Sequence, residues 1–292
     1  MNKLVEPRYF TPRTSLIGVF YFLFLVLNSP LTFSIQPIEF EFQTTRDTKR
    51  TYDGITGLNF ERIETQFLSP IFKRDNTIGK WLAGLDISEN RMFFSGIQSG
   101  TRRLYRFAVP IQYFPKRKGR IQHEWMLTPA YYSDESFIDQ KRITLEYAWQ
   151  FRYLKNRKMN LVAGFRSDSR SGENGIYPIF GLEAQPNKNV FHHWVFPNIY
   201  SEIKFNKKLT SRVFAKINGG NWDYLISTGG GISNLSVSDW KIGLGARLRT
   251  KMPFDYFFET GLRIMGSASF NDTKGSTGDS YFITMGIKTR FQ

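Results

Sequence analysis

Residues 143–153 read Ile-Thr-Leu-Glu-Tyr-Ala-Trp-Gln-Phe-Arg-Tyr, and every second side chain is large and apolar. A period of two predicts a β-strand, because successive side chains of a strand point to opposite faces. About 9–11 residues suffice for a tilted strand to cross a bilayer. The alternation recurs along the chain, which is typical of a transmembrane β-barrel with an apolar face toward lipid and a polar face toward the lumen.

The N-terminus indicates export. Lys3, Arg8 and Arg13 precede an apolar core at residues 16–27, and the small residues that follow predict cleavage after Ser34. This order is typical of a secretory signal peptide. The alternative is an uncleaved anchor, but the apolar core is shorter than the roughly 20 residues that a spanning helix needs. We therefore expect residues 1–34 to be removed and the protein to reach the bacterial outer membrane.

The remaining chain predicts an all-β, antiparallel transmembrane barrel of about twelve strands, within a range of 10–14. We place the barrel at residues 57–292 and interpret residues 35–56 as a periplasmic lead-in or plug segment. The predicted strands lie near 58–68, 80–88, 102–113, 121–132, 141–153, 159–166, 175–184, 197–206, 209–217, 238–249, 255–266 and 280–291.

Connection lengths predict the orientation, because bacterial barrels have short periplasmic turns and longer extracellular loops. If the last strand ends in the periplasm, residues 218–237 and 267–279 are extracellular and residues 207–208 and 250–254 are periplasmic. Counting back along the strands then places residues 116–120 outside. The same count makes residues 133–140 and 167–174 periplasmic, although both are longer than such turns usually are.

Several strand-and-turn motifs resemble those of an uncharacterised, porin-like family of bacterial outer-membrane β-barrels. They are Tyr177-Pro178-Ile179-Phe180-Gly181-Leu182, Pro186-Asn187, Phe196-Pro197 with Tyr200, Asp239, Gly243 and Gly245, and Phe258-Glu259-Thr260-Gly261. The resemblance covers roughly residues 65–292. It implies a barrel in the outer membrane, and the family supplies no activity or catalytic residues.

Composition limits the kinds of site and partner. The chain has no cysteine, which excludes disulfides, thiolate metal sites and thiol nucleophiles. Its net charge of +15 favours anionic partners. Export argues against nucleic acid, so we expect outer-membrane lipid and lipopolysaccharide, small anionic solutes and the assembly machinery, which recognises aromatic-terminated last strands such as the one ending Phe291-Gln292. No cofactor is predicted.

The inward face of the predicted strands carries more bases than acids. The lumen basic cluster comes from the last three strands and consists of Lys241, Arg247, Arg249, Arg263, Lys288 and Arg290. The predicted lumen acids are Glu124, Glu146, Glu183, Glu202, Asp255 and Glu259. Basic rings favour anions, so we predict a narrow channel that prefers anionic solutes. The alternative is a structural or surface-binding barrel whose lumen is plugged by paired charges, because about 8 strands leave a filled interior and 16–18 an open one.

A second basic group lies in the predicted outer loop and consists of Lys116, Arg117, Lys118 and Arg120. It would bind lipopolysaccharide phosphates or another anion, and the alternative is a solvated turn.

The three histidines decide the enzyme question. His123 has the parity of lipid-facing residues, the surface on which barrel lipid hydrolases carry a His–Ser pair, but no serine lies beside it in sequence. We interpret it as an interfacial residue. His192 and His193 fall in a predicted loop, where adjacent side chains diverge and make a poor metal site. We therefore predict no catalytic residue and no metal, with an outer-leaflet lipid-modifying enzyme as the third alternative.

Overall fold

The computed structural model describes residues 40–96, 100–116, 119–134, 143–156, 158–169, 175–225, 232–270 and 273–289. The predicted signal peptide lies outside these residues and stays a prediction. Among the described residues, no helix has the length and apolarity needed to cross a membrane.

Fourteen antiparallel strands form one closed sheet in the described part of the chain. They are β1 (Glu41–Asp47, continued by Arg50–Tyr52), β2 (Leu58–Asp75), β3 (Gly79–Ser95), β4 (Gly100–Ala108, continued by Ile111–Pro115), β5 (Ile121–Asp134), β6 (Ile143–Asn156), β7 (Met159–Asp168), β8 (Gly175–Asn187), β9 (Val190–Phe196), β10 (Asn198–Lys204), β11 (Leu209–Leu225), β12 (Ile232–Arg249), β13 (Phe254–Phe270) and β14 (Thr273–Thr277, continued by Ser280–Thr289).

The first strand closes the barrel. On one side Glu41 pairs with Leu68 of β2, and on the other side Glu41 pairs with Lys288 of β14. Every strand therefore has two neighbours and no edge is left open to another chain. The interpretation of residues 35–56 as a lead-in or plug is wrong for residues 41–52, because these lie in the barrel wall.

Like β1, strand β9 was not predicted from the sequence. It falls in the predicted connection at 185–196. It pairs with β8 and β10, and the chain reverses between β9 and β10 at Pro197. These two additions raise the predicted count of about twelve strands to fourteen. An omitted strand also reverses the predicted direction of every strand before it, which changes the end at which each upstream connection lies.

The barrel therefore has two ends that differ from the predicted assignment. The terminal end carries both described chain ends and the turns at 76–78, 116–120, 157–158, 188–189, 205–208 and 250–253. The distal end carries the described turn at 53–57 and the strand ends at Ser95, Asp134, Asp168, Leu225 and Phe270. The predicted placement of 116–120 at the end opposite 207–208 and 250–254 is wrong, because Pro115 and Ile121 lie at the same end as Lys204, Leu209, Arg249 and Phe254. The strand ends at Asp134 and Asp168, which begin the two unexpectedly long predicted connections, lie at the opposite end from these short turns.

The outer surface is an apolar belt. Leu145 is 54% exposed and Leu244 is 59% exposed, and both point away from the lumen. The residues that alternate with these apolar ones point inward. Glu146, which follows Leu145 in β6, contacts Arg106 of β4. The predicted alternation of residues 143–153 is confirmed, and the belt gives the wall the apolar surface that a lipid environment requires.

The interior narrows where two non-adjacent strands meet. β5 and β11 do not pair in the sheet, yet they approach each other across the interior. The rings of Tyr132 and Trp222 touch edge to face there, with centroids 6.2 Å apart. Gly220 makes room for this contact, because a Cβ at that position would overlap the Trp222 ring.

Candidate functional site

A cluster of buried charges crosses the middle of the lumen. Arg263 Nε lies 2.8 Å from Asp47 Oδ1, and its Nη1 lies 2.8 Å from Asp239 Oδ1. Arg50 bridges the same two carboxylates at 2.9 and 3.0 Å. Arg62 Nε lies 3.2 Å from Asp47 Oδ2. We call these five residues the central ion cluster.

The central ion cluster ties the wall together from inside. Its side chains are at most 1% exposed, and they come from β1, β2, β12 and β13. Asn218 of β11 joins it when its amide is oriented so that the oxygen accepts from Arg62 and Arg263. Buried charges are tolerable only when paired and hydrogen-bonded. The cluster therefore stabilises this part of the wall from inside, with its own charges kept away from bulk water.

Further ion pairs fill the side of the barrel formed by β3 to β8. Arg106 Nη1 lies 2.6 Å from Asp86, its Nη2 lies 3.0 Å from Glu146, and its Nε donates to Tyr132 at 2.9 Å. The remaining pairs are Arg152 with Glu124 at 2.9 Å and with Glu183 at 3.2 Å, and Arg166 with Asp168. The charge pairing of the plugged alternative is therefore present in much of the lumen.

The predicted lumen basic cluster does not form one group. Arg263 belongs to the central ion cluster, and Lys241 lies buried beside it. Arg247 and Lys288 lie nearer the terminal end, where they pair with Glu202 at 3.8 Å and Glu41 at 3.3 Å. Arg249 is exposed, and Arg290 lies outside the described residues.

The predicted excess of bases is also smaller than expected. The sequence prediction left out the acids of β1, β2 and β3, which it had not assigned to the lumen, together with Asp168 and Asp239. The inward acids found only in the structure are Glu41, Asp47, Glu64, Asp86, Asp168 and Asp239.

Two polar cavities remain in the lumen. The terminal chamber has a volume of about 250 Å³, and its charged lining is Glu41, Glu202, Arg212, Lys216, Arg247, Glu259 and Lys288. The central chamber has about 140 Å³, and its charged lining is Arg62, Glu64, Asp86, Arg106, Glu146, Lys216 and Lys241. Gln43, Gln66 and Lys216 line both chambers, so the two cavities lie next to each other at these side chains.

An apolar cluster occupies the lumen on the distal side of the chambers. Phe60, Met92 and Leu104 in it are fully buried, which leaves no water-filled path between them. We call this cluster the apolar seal, and its members are Tyr52, Leu58, Phe60, Met92, Leu104, Ala108, Ala130, Tyr132, Trp222, Leu235, Val237, Ala268 and Phe270. The sequence analysis did not identify it, because several of its members fall in predicted loops: Trp222, Leu235 and Val237 lie within 218–237, and Ala268 and Phe270 lie within 267–279.

The basic group at 116–120 lies at the terminal end. Lys116 and Arg120 are exposed there, and Arg117 and Lys118 lie outside the described residues. Lipopolysaccharide occupies the outer leaflet. If the terminal end faces the periplasm, as its short turns indicate, this group cannot reach lipopolysaccharide.

The histidines do not form a metal site. His123 lies on the outer surface near the terminal end, where its ring stacks on Trp149 with centroids 6.0 Å apart. His192 and His193 lie in β9 rather than in a loop, so they point to opposite faces. His193 Nδ1 lies 3.1 Å from the lumen residue Glu183. Among the described residues, no group of three or more potential ligands is arranged to hold a metal ion.

The structure does bring a histidine and a serine together on the outer surface. His192 Nδ1 lies 2.9 Å from Ser201 Oγ, and Trp194 Nε1 donates to the same oxygen at 2.9 Å. The described residues give His192 no carboxylate or amide to orient it, as a nucleophile–base pair requires. The neighbouring backbone amides belong to a paired sheet, which leaves them unsuited to stabilising an oxyanion.

We therefore expect no lipid hydrolysis from this surface. Fatty-acid release from phospholipid micelles should not differ between the wild type, His123→Ala and Ser201→Ala, and a fluorophosphonate should not label Ser201. Release by the wild type that is lost in Ser201→Ala would instead establish an enzyme at β9 and β10.

Comparisons with known proteins find only distant structural likenesses. No protein-family model matches the chain, and a search of curated proteins also finds no match. The translocator domain of the autotransporter NalP from Neisseria meningitidis aligns at a TM-score of 0.43 and 9% identity, over 96% of this chain and 98% of that one. The Pseudomonas putida toluene transporter TodX aligns at 0.41 and 11%, over 91% and 93%. The KdgM porin aligns at 0.33 and 7%, over 87% and 100%.

The chain folds as an outer-membrane-type β-barrel. The strand pairing and the apolar belt carry this conclusion, since likenesses this low transfer no activity. Membership of the uncharacterised porin-like family stays a prediction.

Proposed function

We propose that the protein is a narrow outer-membrane channel whose lumen is closed in the described conformation. The observation that supports the proposal is the order in which the two chambers and the apolar seal follow one another along the lumen. The terminal and central chambers share the lining residue Lys216, and the apolar seal lies on their distal side. A barrel that only had to be filled would not need two polar cavities in its lumen, because buried polar surface must be satisfied at a cost.

The proposed solutes are small anions. Arg212, Lys216, Arg247 and Lys288 line the terminal chamber against Glu41, Glu202 and Glu259, which leaves one more base than acid. Two of the ion pairs are long, at 3.7 Å for Lys216 with Glu259 and 3.8 Å for Arg247 with Glu202. Their positive charge is only partly compensated, and screening inside a narrow passage is weaker than in bulk salt. Anions should enter more readily than cations.

Conductance in a planar bilayer tests the proposal. We expect the wild type to remain closed most of the time and to open in small discrete steps. Trp222→Ala should raise the open time several-fold, because it removes the ring that bridges the interior to Tyr132. Trp194→Ala is the matched control. It deletes the same side chain from the outer surface, where Trp194 is 49% exposed, and should leave conductance unchanged.

The same recordings test selectivity. In a salt gradient the wild-type reversal potential should lie on the anion side, and Arg247→Glu should move it toward the cation side. Arg249→Glu, at an exposed position, should move it less. A cation-selective wild type would contradict the proposed solute class.

The second candidate is a structural barrel, and the central ion cluster favours it. A folded wild type that never opens at any voltage, while Trp222→Ala conducts, would show that the natural lumen is permanently plugged. The outcome would also remove the proposed transport function.

A further inference from the structure

Three bases stand side by side on the inner face of the barrel. Lys216 of β11 pairs directly with Lys241 of β12, and Lys241 pairs directly with Arg263 of β13. Directly opposite residues of antiparallel strands have Cβ atoms about 4.5–5.5 Å apart, and like charges at such positions destabilise a sheet. The row therefore needs compensating negative charge close to it.

The described residues supply that charge unevenly. Arg263 contacts both Asp47 and Asp239. Lys216 shares Glu259 with Arg212, and its own distance to that carboxylate is 3.7 Å. Lys241, in the middle of the row, forms no ion pair with any residue that the structure describes.

The direct contacts of Lys241 are with uncharged groups, and the two acids that act on it from farther away, Glu64 and Glu259, are each paired with an arginine. Its Nζ donates to Thr284 Oγ1 at 3.0 Å and reaches Thr45 Oγ1 at 3.4 Å, and it lies 4.4 Å from the centre of the Phe282 ring. The side chain is almost fully buried, with the residue 3% exposed. Neutral hydroxyls and a ring compensate a buried ammonium only partly, since such a charge is costly unless it is paired.

The open space beside this ammonium is the central chamber. Lys216 and Lys241 both line it, together with Ser88 and Asn90, which add polar groups to the wall. The acids that line it are Glu64, Asp86 and Glu146, and each of them is paired with an arginine. Asp86 and Glu146 are bonded to Arg106, and Glu64 lies 3.4 Å from Arg62 and 3.7 Å from Arg263. Its volume of about 140 Å³ holds a few waters or one small anion with part of its hydration shell.

We propose that the central chamber is a binding site for one small inorganic anion, of halide to phosphate size, held between Lys216 and Lys241. The bound anion supplies the negative charge that the row of bases lacks. The site gives the proposed channel a resident solute in its closed state. The physiological role of the anion site rests on the proposed channel function, but anion binding itself requires no conduction.

Thermal unfolding of the purified, folded barrel in detergent tests the site. Chloride is replaced stepwise by gluconate at constant ionic strength, because gluconate is far larger than a halide and does not fit beside Lys241. We expect the wild-type midpoint to rise with chloride and to saturate, since a ligand that binds only the folded state stabilises it by mass action. The apparent chloride affinity should fall about tenfold or more in Lys241→Met, which loses a charge-assisted contact.

Lys241→Met also separates an anion site from a purely structural lysine. In gluconate the variant should unfold at a higher temperature than the wild type, because the uncompensated charge has been removed. In chloride that advantage should shrink or reverse. A lysine that serves only to bond Thr45 and Thr284 predicts a less stable variant in both salts, and that result would overturn the proposal.

Two further measurements close the test. Arg247→Met, which removes a base of the terminal chamber only, should keep the chloride dependence of the wild type. Bromide soaked into crystals should give an anomalous peak beside Lys241 Nζ. A wild type whose midpoint ignores chloride, or a peak found only elsewhere, would contradict the site. These measurements use no membrane and detect no conduction. A negative result would therefore contradict the anion site without contradicting the proposed channel, which the conductance recordings test separately.

Discussion

Arg263→Met should destabilise the barrel by about 3–5 kcal/mol, the cost of leaving buried charges without their partner. Arg263 is completely buried and bonds Asp47 and Asp239 at 2.8 Å each. Methionine is long enough to occupy much of the space but offers neither carboxylate a donor. Urea unfolding in detergent, followed by the loss of heat-modifiable gel mobility, measures the effect.

The control for this variant is Arg91→Met. Arg91 of β3 also pairs with a carboxylate, at 2.6 Å from Glu89, but its side chain is 45% exposed. Exposed ion pairs contribute about 0–1 kcal/mol, so its loss should be small. Equal stability losses in the two variants would show that the central ion cluster is hydrated rather than buried.

Trp149→Arg should cost about 2–4 kcal/mol, the penalty for arginine on the lipid face near the middle of the membrane. Trp149 lies midway along β6, and its ring contacts the outward rings of Trp125 and Phe165 with centroids 5.8 and 5.6 Å apart. Leu145→Arg should cost less, because Leu145 lies nearer the distal end of the same strand. The yield of folded, heat-modifiable barrel reports both.

Gln150→Arg is the matched control for the lipid face. Gln150 follows Trp149 directly and therefore has the same depth, but it points inward and donates to Glu124 at 2.5 Å. An arginine there can pair with that carboxylate. Equal losses for Trp149→Arg and Gln150→Arg would mean that the inward and outward faces of β6 have been exchanged.

The belt was predictable because it depends on local alternation alone. Strand β1 was not, since two of its outward residues, Thr44 and Arg46, are polar, so its polar inner face does not alternate with an apolar outer face. Strand β9 is short and carries two adjacent histidines, and the turn after it is formed at a single proline. Neither segment shows the sustained period of two that predicts a strand.

The lumen was less predictable because its chemistry depends on register between distant strands. Asp47 and Arg263 are far apart in sequence, and nothing near either residue indicates that they meet. The predicted surplus of bases was too large for this reason. The partners of Arg247, Arg263 and Lys288 come from β1, β2, β10 and β12, and the prediction had assigned no inward acids to β1 or β2.

Barrel closure has a consequence for the order of folding. Asp47 is among the first barrel residues to leave the ribosome, whereas Asp239 and Arg263 are among the last, and β14 must then pair with β1. Contacts between such remote parts of a chain form slowly, because the loop between them must first be closed. A chain that lacks its last two strands would keep the contacts of Asp47 with Arg50 and Arg62 but would lose Arg263, which joins Asp47 to Asp239. The barrel should therefore assemble in one cooperative step, with no stable partial barrel for the insertion machinery to release.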